Sequence, residues 1–396
     1  FQSALGLDKT SLTARLGLSR IAETNDASEE ALSHLEKALA HLGALDRRRS
    51  GVARRFLALR APKRALTAIE DLRTLHPDAT EFLEIVGQAE VLLGHTKDAV
   101  VTYGRLVRFA DNRAGVLFRS GVALYRLGKV EDARFALRMA LQVAPEMIGP
   151  LGALAVLEAR AGNRDRTAVL FKRIGALDQS DPRVHIATAT IYRVLGQPEA
   201  ALRHFEQAHT LAPRSSTVLA LFDAHTAVKR GQAGVALLES WLETHTGDRR
   251  VRERLARLYV QLSRPEQARE HYAILVSQMP NNPEFLNGLA WAFTLLEDPR
   301  AVETAQQALK HKPGDYAIMD TVGWAYVVAG QASLGLPYLR DALARNASNP
   351  VIRYHLAVAL EKTGNGAEAL RHFKEVASHR VALREVLDAR TRLTQE

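Results

Sequence analysis

Apolar residues recur along this chain at helical spacing, and the stripes they form recur in turn. Between Pro182 and Val194, for example, Val184, Ala187, Ile191 and Val194 share one helical face, while Arg183 and Arg193 fall off it. Ala31, Ala65, Ala99, Ala133 and Ala201 sit on one 34-residue lattice, and Gly94, Gly128, Gly162 and Gly196 each precede an alanine-type position by five residues. Punctuation this tight at this period predicts stacked helix-turn-helix units, an all-α solenoid. Ala236, Ala268, Ala301 and Ala369 continue the lattice with a drift of one or two residues, and Gly335 takes the same place in its repeat. Pro77, Pro145, Pro213, Pro280 and Pro313 mark a second recurring position.

First helices are predicted to start near Leu12, Asp46, Thr80, Ala114, Ile148, Pro182, Thr217, Arg249, Pro283, Tyr316 and Pro350, about eleven repeats in all. The chemistry of one unit explains the punctuation. Asp181-Pro182, Asn282-Pro283 and Asn349-Pro350 each set a capping acceptor before a proline at the first helical position. A glycine such as Gly196 or Gly364 ends the first helix, where a left-handed residue costs least. The second helix carries a small alanine at the close crossing, and a proline such as Pro213 stops it. Residues 1–11, with Phe1, Ala4 and Leu7 as their apolar face, read as the remnant of a preceding repeat. Residues 12–380 read as a continuous superhelix. Residues 381–396 break the pattern and read as a capping helix, with Leu383, Val386, Leu387 and Leu393 as its apolar stripe and Arg384, Glu385 and Asp388 facing out; a partner-binding amphipathic helix is the alternative. With neither an initiator Met nor a signal-like stretch at Phe1, the chain reads as a fragment of a longer protein whose targeting signal has been removed.

These are the residues of a known repeat. Gly121, Tyr125, Gly128, Ala133, Ala140 and Pro145 resemble one nearly complete tetratricopeptide (TPR) consensus, and Ala189, Tyr192, Gly196, Ala201, Phe205, Ala208 and Pro213 resemble another. The resemblance runs over essentially the whole chain and implies a right-handed superhelix. Thr167 and Gly335 depart from the small alanine, and Ser263 and Glu297 from the turn glycine, which puts local packing in question there. The C-terminal block is narrower in its likeness. Asn281-Asn282-Pro283, Leu289-Ala290-Trp291, Asp298-Pro299-Arg300-Ala301, Asp320-Thr321-Val322-Gly323-Trp324 and Arg353-Tyr354-His355-Leu356-Ala357 resemble bacterial TPR lipoproteins that accompany exosortase (PEP-CTERM) sorting and exopolysaccharide gene systems. That resemblance implies a periplasm-facing, membrane-tethered scaffold; the compartment rests on it alone.

Composition changes the picture little. A chain of 396 residues exceeds the size at which one compact core keeps growing, but a repeat buries its apolar face against its neighbours and needs no single core. No apolar run approaches the roughly 18 residues of a membrane span. The absence of cysteine excludes disulfides, thiolate metal sites and cysteine nucleophiles. The net charge of +9 is partly local: Arg47, Arg48, Arg49, Arg54, Arg55, Arg60, Lys63 and Arg64 crowd one segment, and Arg249, Arg250, Arg252, Arg254 and Arg257 another. Each stretch reads as a solvated helix face or as a patch for an anionic partner, with Arg47 and Arg54 the candidate contacts.

No catalytic constellation emerges. Gly6-Leu7-Asp8-Lys9-Thr10 lacks the glycine spacing of a phosphate loop. His204 and His209 stand five residues apart, where a helical zinc pair needs four, and Phe205 and Ala208 between them already serve the repeat. The acidic pairs Glu29-Glu30 and Glu131-Asp132 sit where helix N-termini favour negative charge. The chain therefore reads as a non-enzyme without a cofactor or metal.

The TPR resemblance implies a concave groove lined by the second, fifth, ninth and twelfth residues of each first helix. In that register the C-terminal groove offers Glu284, Asn287 and Trp291, then Asp320 and Trp324, then Tyr354 and Glu361. Trp291 and Trp324 stand one repeat apart at the same position, as packing residues or as anchors for a partner. The middle of the groove carries Phe118, Tyr125, Val156, Arg183 and Arg193, and the N-terminal end Arg20, Arg47, Arg54, Glu81 and Glu84. No first helix has the Lys/Asn pair with which TPR clamps hold chaperone C-termini. The reading is a scaffold that holds protein or peptide segments in its groove, set in Gram-negative envelope polysaccharide or protein-sorting machinery. Direct binding of an anionic exopolysaccharide through the basic repeats is its rival. Interspersed Glu81, Glu84, Glu253 and Glu284 weigh against nucleic acid.

Overall fold

The structure, a computed structural model, describes residues 1–8, 10–24, 27–379 and 383–395. Among them it contains helices and turns and no strand. The chain divides into two compact units, Phe1–Trp241 and Leu242–Glu396.

In the first unit a short α1 (Gln2–Leu7) precedes the pair α2 (Leu12–Thr24) and α3 (Ser28–Ala40). Then come α4 (Arg49–Ala58) and a second helix interrupted at Ile69, giving α5 (Pro62–Ala68) and α6 (Glu70–Leu75). The pairs α7 (Thr80–Leu92) and α8 (Thr96–Phe109), α9 (Ala114–Arg126) and α10 (Val130–Val143), α11 (Ile148–Arg160) and α12 (Arg164–Gly175), and α13 (Pro182–Val194) and α14 (Pro198–Leu211) follow. Next stand α15 (Ser215–Ala227) and α16 (Gly231–Thr244), inside which the unit boundary falls. The second unit pairs α17 (Arg249–Gln261) with α18 (Pro265–Gln278), α19 (Pro283–Leu295) with α20 (Ala301–His311), α21 (Tyr316–Val328) with α22 (Ala332–Arg345), and α23 (Pro350–Lys362) with α24 (Gly366–Ala377). It ends in α25 (Arg384–Gln395). First helices begin where the periodicity places them, except α4 and α15, predicted at Asp46 and Thr217 and found at Arg49 and Ser215. Asp46 closes a tight turn instead, accepting from the Arg48 backbone N–H at 2.9 Å.

The caps form as their residues dictate. Asp181 accepts from the Arg183 N–H, Asn282 from Phe285, Asp315 from Ala317 and Asn349 from Val351, all within 2.8 to 3.0 Å. Turn glycines such as Gly94, Gly128 and Gly196 adopt φ of +72° to +76°. Arg60, Lys229, Ser263 and Glu297 hold the same left-handed conformation at the corresponding turns, φ +54° to +61°, so the missing glycines change the cost of the turn and leave its shape.

The small-residue crossing is obeyed with adjustments. Ala65, Ala99, Ala133, Ala201, Ala268 and Ala369 are buried. Ala236 is exposed and is not the crossing residue of its repeat; Gly234 is, where a β-carbon would lie 2.9 Å from the Phe222 ring. Thr167 is buried in the alanine position because its hydroxyl donates to the Asn163 carbonyl at 2.8 Å. Gly335 serves a closer crossing: its β-carbon would stand 2.4 Å from the carbonyl oxygen of Gly323 on the facing helix.

The terminal helix docks on a face shifted from the expected stripe, of which Val386 and Leu393 pack into the core of the second unit. Val386 and Ala389 are buried, whereas Leu383 and Leu387 are exposed. Asp388, expected outside, is half-buried and accepts from the Tyr354 hydroxyl at 2.6 Å. Small Ala389 permits close approach, and Arg390 clamps the end of α24 by donating to the Ala377 and His379 carbonyls at 3.0 and 2.7 Å. The side chain of Leu7, together with Lys9 and Val381, lies outside the described residues.

Candidate functional site

In the second unit, repeat register brings the first helices α19, α21 and α23 side by side with equivalent positions facing the same way. Trp291 and Trp324, both half-buried, flank the ring of His355. Trp324 stacks on it with centroids 4.2 Å apart and planes at 18°, and Trp291 stands at 5.9 Å and 42°. His355 Nδ1 lies 2.9 Å from Asp320 Oδ1, and both residues are buried. Asn287 is half-buried, and its Oδ1 has no hydrogen-bond partner among the described residues. Tyr354 donates to Asp388, whose other donor is Arg392 Nε at 2.6 Å. Burial, and then the bond to Asp388, raise the Tyr354 phenol well above its ordinary pKa. Glu284 is exposed and accepts from Lys312 Nζ at 2.9 Å. Lys312 also meets Asp315, and these two carboxylates hold its ammonium above the usual lysine value.

The tryptophan ladder therefore closes around a buried histidine that the groove register does not point to. His355 sits one residue past Tyr354, on the buried side of its helix. A signal did exist, since an aspartate and a histidine 35 residues apart fall on adjacent repeats in a 34-residue lattice.

The arginine-rich segment mostly works within the protein. Arg49 donates to the Ala68 and Leu42 carbonyls at 2.7 and 3.0 Å. Arg55 pairs with Glu23, Arg64 with Glu36 at 3.2 Å and Arg48 with Asp46 at 2.6 Å. Arg54 lies 3.8 Å from Glu81, and Arg47 is exposed. In the second basic stretch Arg252 is buried and donates to the Thr246 carbonyl at 2.7 Å, while Arg257 pairs with Glu253 at 2.6 Å. His204 and His209 serve separate partners, His185 at 3.2 Å and Thr217 at 2.9 Å.

The first unit carries an open hollow on its first helices. An apolar hollow of about 550 Å³ runs over α9, α11 and α13, lined by Phe118, Val122, Met147, Val156, Ile186 and Thr190. Gly149 and Gly152 let its walls pack closely: a β-carbon on the first would stand 2.8 Å from the Phe118 ring, and on the second 3.0 Å from Ala187 Cβ. A second hollow of about 610 Å³ continues from Phe118 and Val122 over α7 to Arg54. Phe118, Tyr125, Val156 and Arg183, named from the register, line the first hollow; Arg193 is exposed outside its lining. The glycines that let its walls pack are invisible to a search for groove side chains, because they contribute none.

A family model described as tetratricopeptide repeat matches residues 38–298, and a second with the same description matches residues 323–390. Among curated proteins, cellulose synthase 2 operon protein C of Komagataeibacter xylinus is 33% identical over 171 residues, which are 42% of this chain and 13% of that protein. The chain thus spans a small part of that relative's length. Solved structures similar to the chain include a thermophilic TPR protein of Thermus thermophilus, 20% identical, covering 54% of this chain and 97% of its own, with a TM-score of 0.33. The Cut9-Hcn1 hetero-tetramer of the APC/C matches 99% of this chain and 91% of its own at 12% identity, with a TM-score of 0.44.

Proposed function

We propose a partner-binding scaffold from one premise: this chain belongs to the tetratricopeptide repeat family. Its fold is suited to protein–protein interaction, and its first-helix face is where a partner segment binds. The observation that carries this reading is the apolar hollow over α9, α11 and α13, whose walls are packed in place where Phe118 and Ala187 sit against Gly149 and Gly152. A preformed groove binds without itself losing much conformational entropy. In the second unit, the half-buried Trp291 and Trp324 offer further aromatic surface beside Asn287.

The setting is the Gram-negative periplasm, in exopolysaccharide or protein-sorting machinery, with a membrane tether in the whole protein. The partial likeness to a protein named for a cellulose synthase operon supports it, as do the C-terminal repeat motifs. Direct binding of anionic polysaccharide through Arg47 and Arg54 is less favoured, since most arginines of that segment already meet carboxylates or carbonyls.

A photoreactive residue placed at Ile186, at Trp291 and, as an outer-face control, at the exposed Val169 tests the site in the native host. Discrete protein adducts are expected from Ile186 or Trp291 and not from Val169. Equal labelling from all three, or adducts to polysaccharide alone, overturns the reading. Fractionation of the host protein tests the compartment: recovery in the cytosol overturns the periplasmic setting.

A further inference from the structure

One helical turn beyond Val122, Val156 and Thr190 of the hollow's lining stand three available cations. Arg126 and Arg160 occupy the thirteenth positions of α9 and α11, and Arg193 the twelfth of α13, so three successive repeats each set one arginine at the end of the first helix. All three are exposed. Arg126 and Arg193 meet no carboxylate among the described residues, and Arg160 is steadied across the gap by the Tyr125 hydroxyl, its guanidinium 5.7 Å from that ring's centre. The other arginines of these helices are already neutralised, Arg119 by Glu84 and Arg183 by Asp181. Glu158 is the one acidic residue on the three helices; it is 1% exposed and accepts from Arg134 and Asn163.

The floor beside the row is mostly carbon: besides the Tyr125 hydroxyl, its polar groups are the Thr190 hydroxyl and the Arg183 guanidinium, already engaged by the Ile186 carbonyl and by Asp181. Phe118, Val122, Val156 and Ile186 can bury an apolar side chain, but they offer a sugar hydroxyl neither donor nor acceptor, and burying an unpartnered hydroxyl is costly. The combination of a cationic edge and an apolar floor selects against a polysaccharide and for a peptide that is acidic and apolar at once. Resting on the scaffold reading above, we propose that the hollow over α9, α11 and α13 binds an extended acidic peptide segment, apolar side chains on the floor and carboxylates against Arg126, Arg160 and Arg193. Helices in contact lie about 8–10 Å apart, and a chain in the extended polyproline II conformation advances about 3.1 Å per residue with three residues per turn, so that every third side chain shares a face. An acidic residue at every third position therefore meets one arginine after another.

The test uses the 396-residue chain and labelled synthetic peptides in fluorescence anisotropy. One peptide carries glutamate at every third position with leucine and phenylalanine between; its control replaces each glutamate by glutamine. The glutamate peptide is expected to bind at least about tenfold tighter, weakening as salt rises. The surface substitutions Arg126→Gln and Arg193→Gln together are expected to remove about tenfold of that affinity with melting unchanged. Ile186→Asp, which puts a carboxylate on the floor, should weaken the glutamate peptide as well. Affinities within about twofold for the two peptides, or an Arg126→Gln/Arg193→Gln variant that binds like the parent, overturn the proposal. So does binding of an acidic polysaccharide such as alginate, lost in that variant, where the glutamate peptide does not bind. Protein adducts from Ile186 without acidic-peptide binding would sink this proposal and leave the scaffold reading standing.

Discussion

Gly335 shows how one atom decides the packing of a repeat. The rule that this position must be small is plain from the alanines at Ala65, Ala99 and Ala133, yet glycine here reads as a departure from it. The facing residue, Gly323, supplies the reason: its carbonyl oxygen stands where a β-carbon would be, 2.4 Å away. Gly335→Ala should therefore lower the melting temperature. Overpacking costs about 1–3 kcal/mol, which outweighs the roughly 1 kcal/mol by which alanine favours a helix over glycine. A variant as stable as the parent in thermal melting would show that α21 and α22 can move apart. His355 teaches the same lesson for the candidate site. Trp291, Trp324 and Asp320 were each legible as groove positions, but their common partner is fixed only when adjacent helices pack.

Between elements, a recurring clip links first and second helices in three repeats. The fourth residue of the first helix is His185, Arg252 or Arg353, and it faces the seventh residue of the second, His204, His271 or His372, at 3.2, 3.2 and 3.3 Å. The same residue also bonds a carbonyl of the preceding loop, Gln179, Thr246 or Ala347. Burial first, and then the neighbouring His185 or Arg353, hold His204 and His372 below the ordinary histidine value of 6.5. Their unfolded forms take up a proton more readily than the folded ones. Their contribution to stability is thus complete above pH 6.5 and is lost as pH falls through the lowered folded values. Melting temperature should fall from pH 7 toward pH 5, and His204→Asn with His372→Asn should flatten that slope. A melting temperature that is constant or rises on acidification contradicts the assignment. No periodicity argument finds these clips, because the lattice ranks small and apolar positions and is blind to a polar pair 19 residues apart.

At the scale of the molecule, stability is a sum over neighbours. Leu137, 1% exposed, packs among Leu124, Leu151 and Leu154 in the core of the first unit. Removing its side chain in Leu137→Ala should cost about 2–5 kcal/mol. In a solenoid that loss should be local, so hydrogen exchange should quicken in α9 to α11 and stay unchanged in α21 to α24. Uniform loss of protection along the chain would mean that the repeats unfold as one block. By itself the sequence determined the all-helical class, the repeat length, the caps and nearly every first-helix start, because each depends on the conformational preference of a few adjacent residues. Tertiary structure alone decided the rest. It placed Gly234 rather than Ala236 at a crossing, turned α25 so that Ala389 in place of Leu383 and Leu387 joins Val386 and Leu393 in the core, gathered Trp291, Trp324 and Asp320 around His355, and shaped a hollow whose walls close on Gly149 and Gly152. Each of these depends on how closely two helices approach, and that distance is set by both surfaces at once.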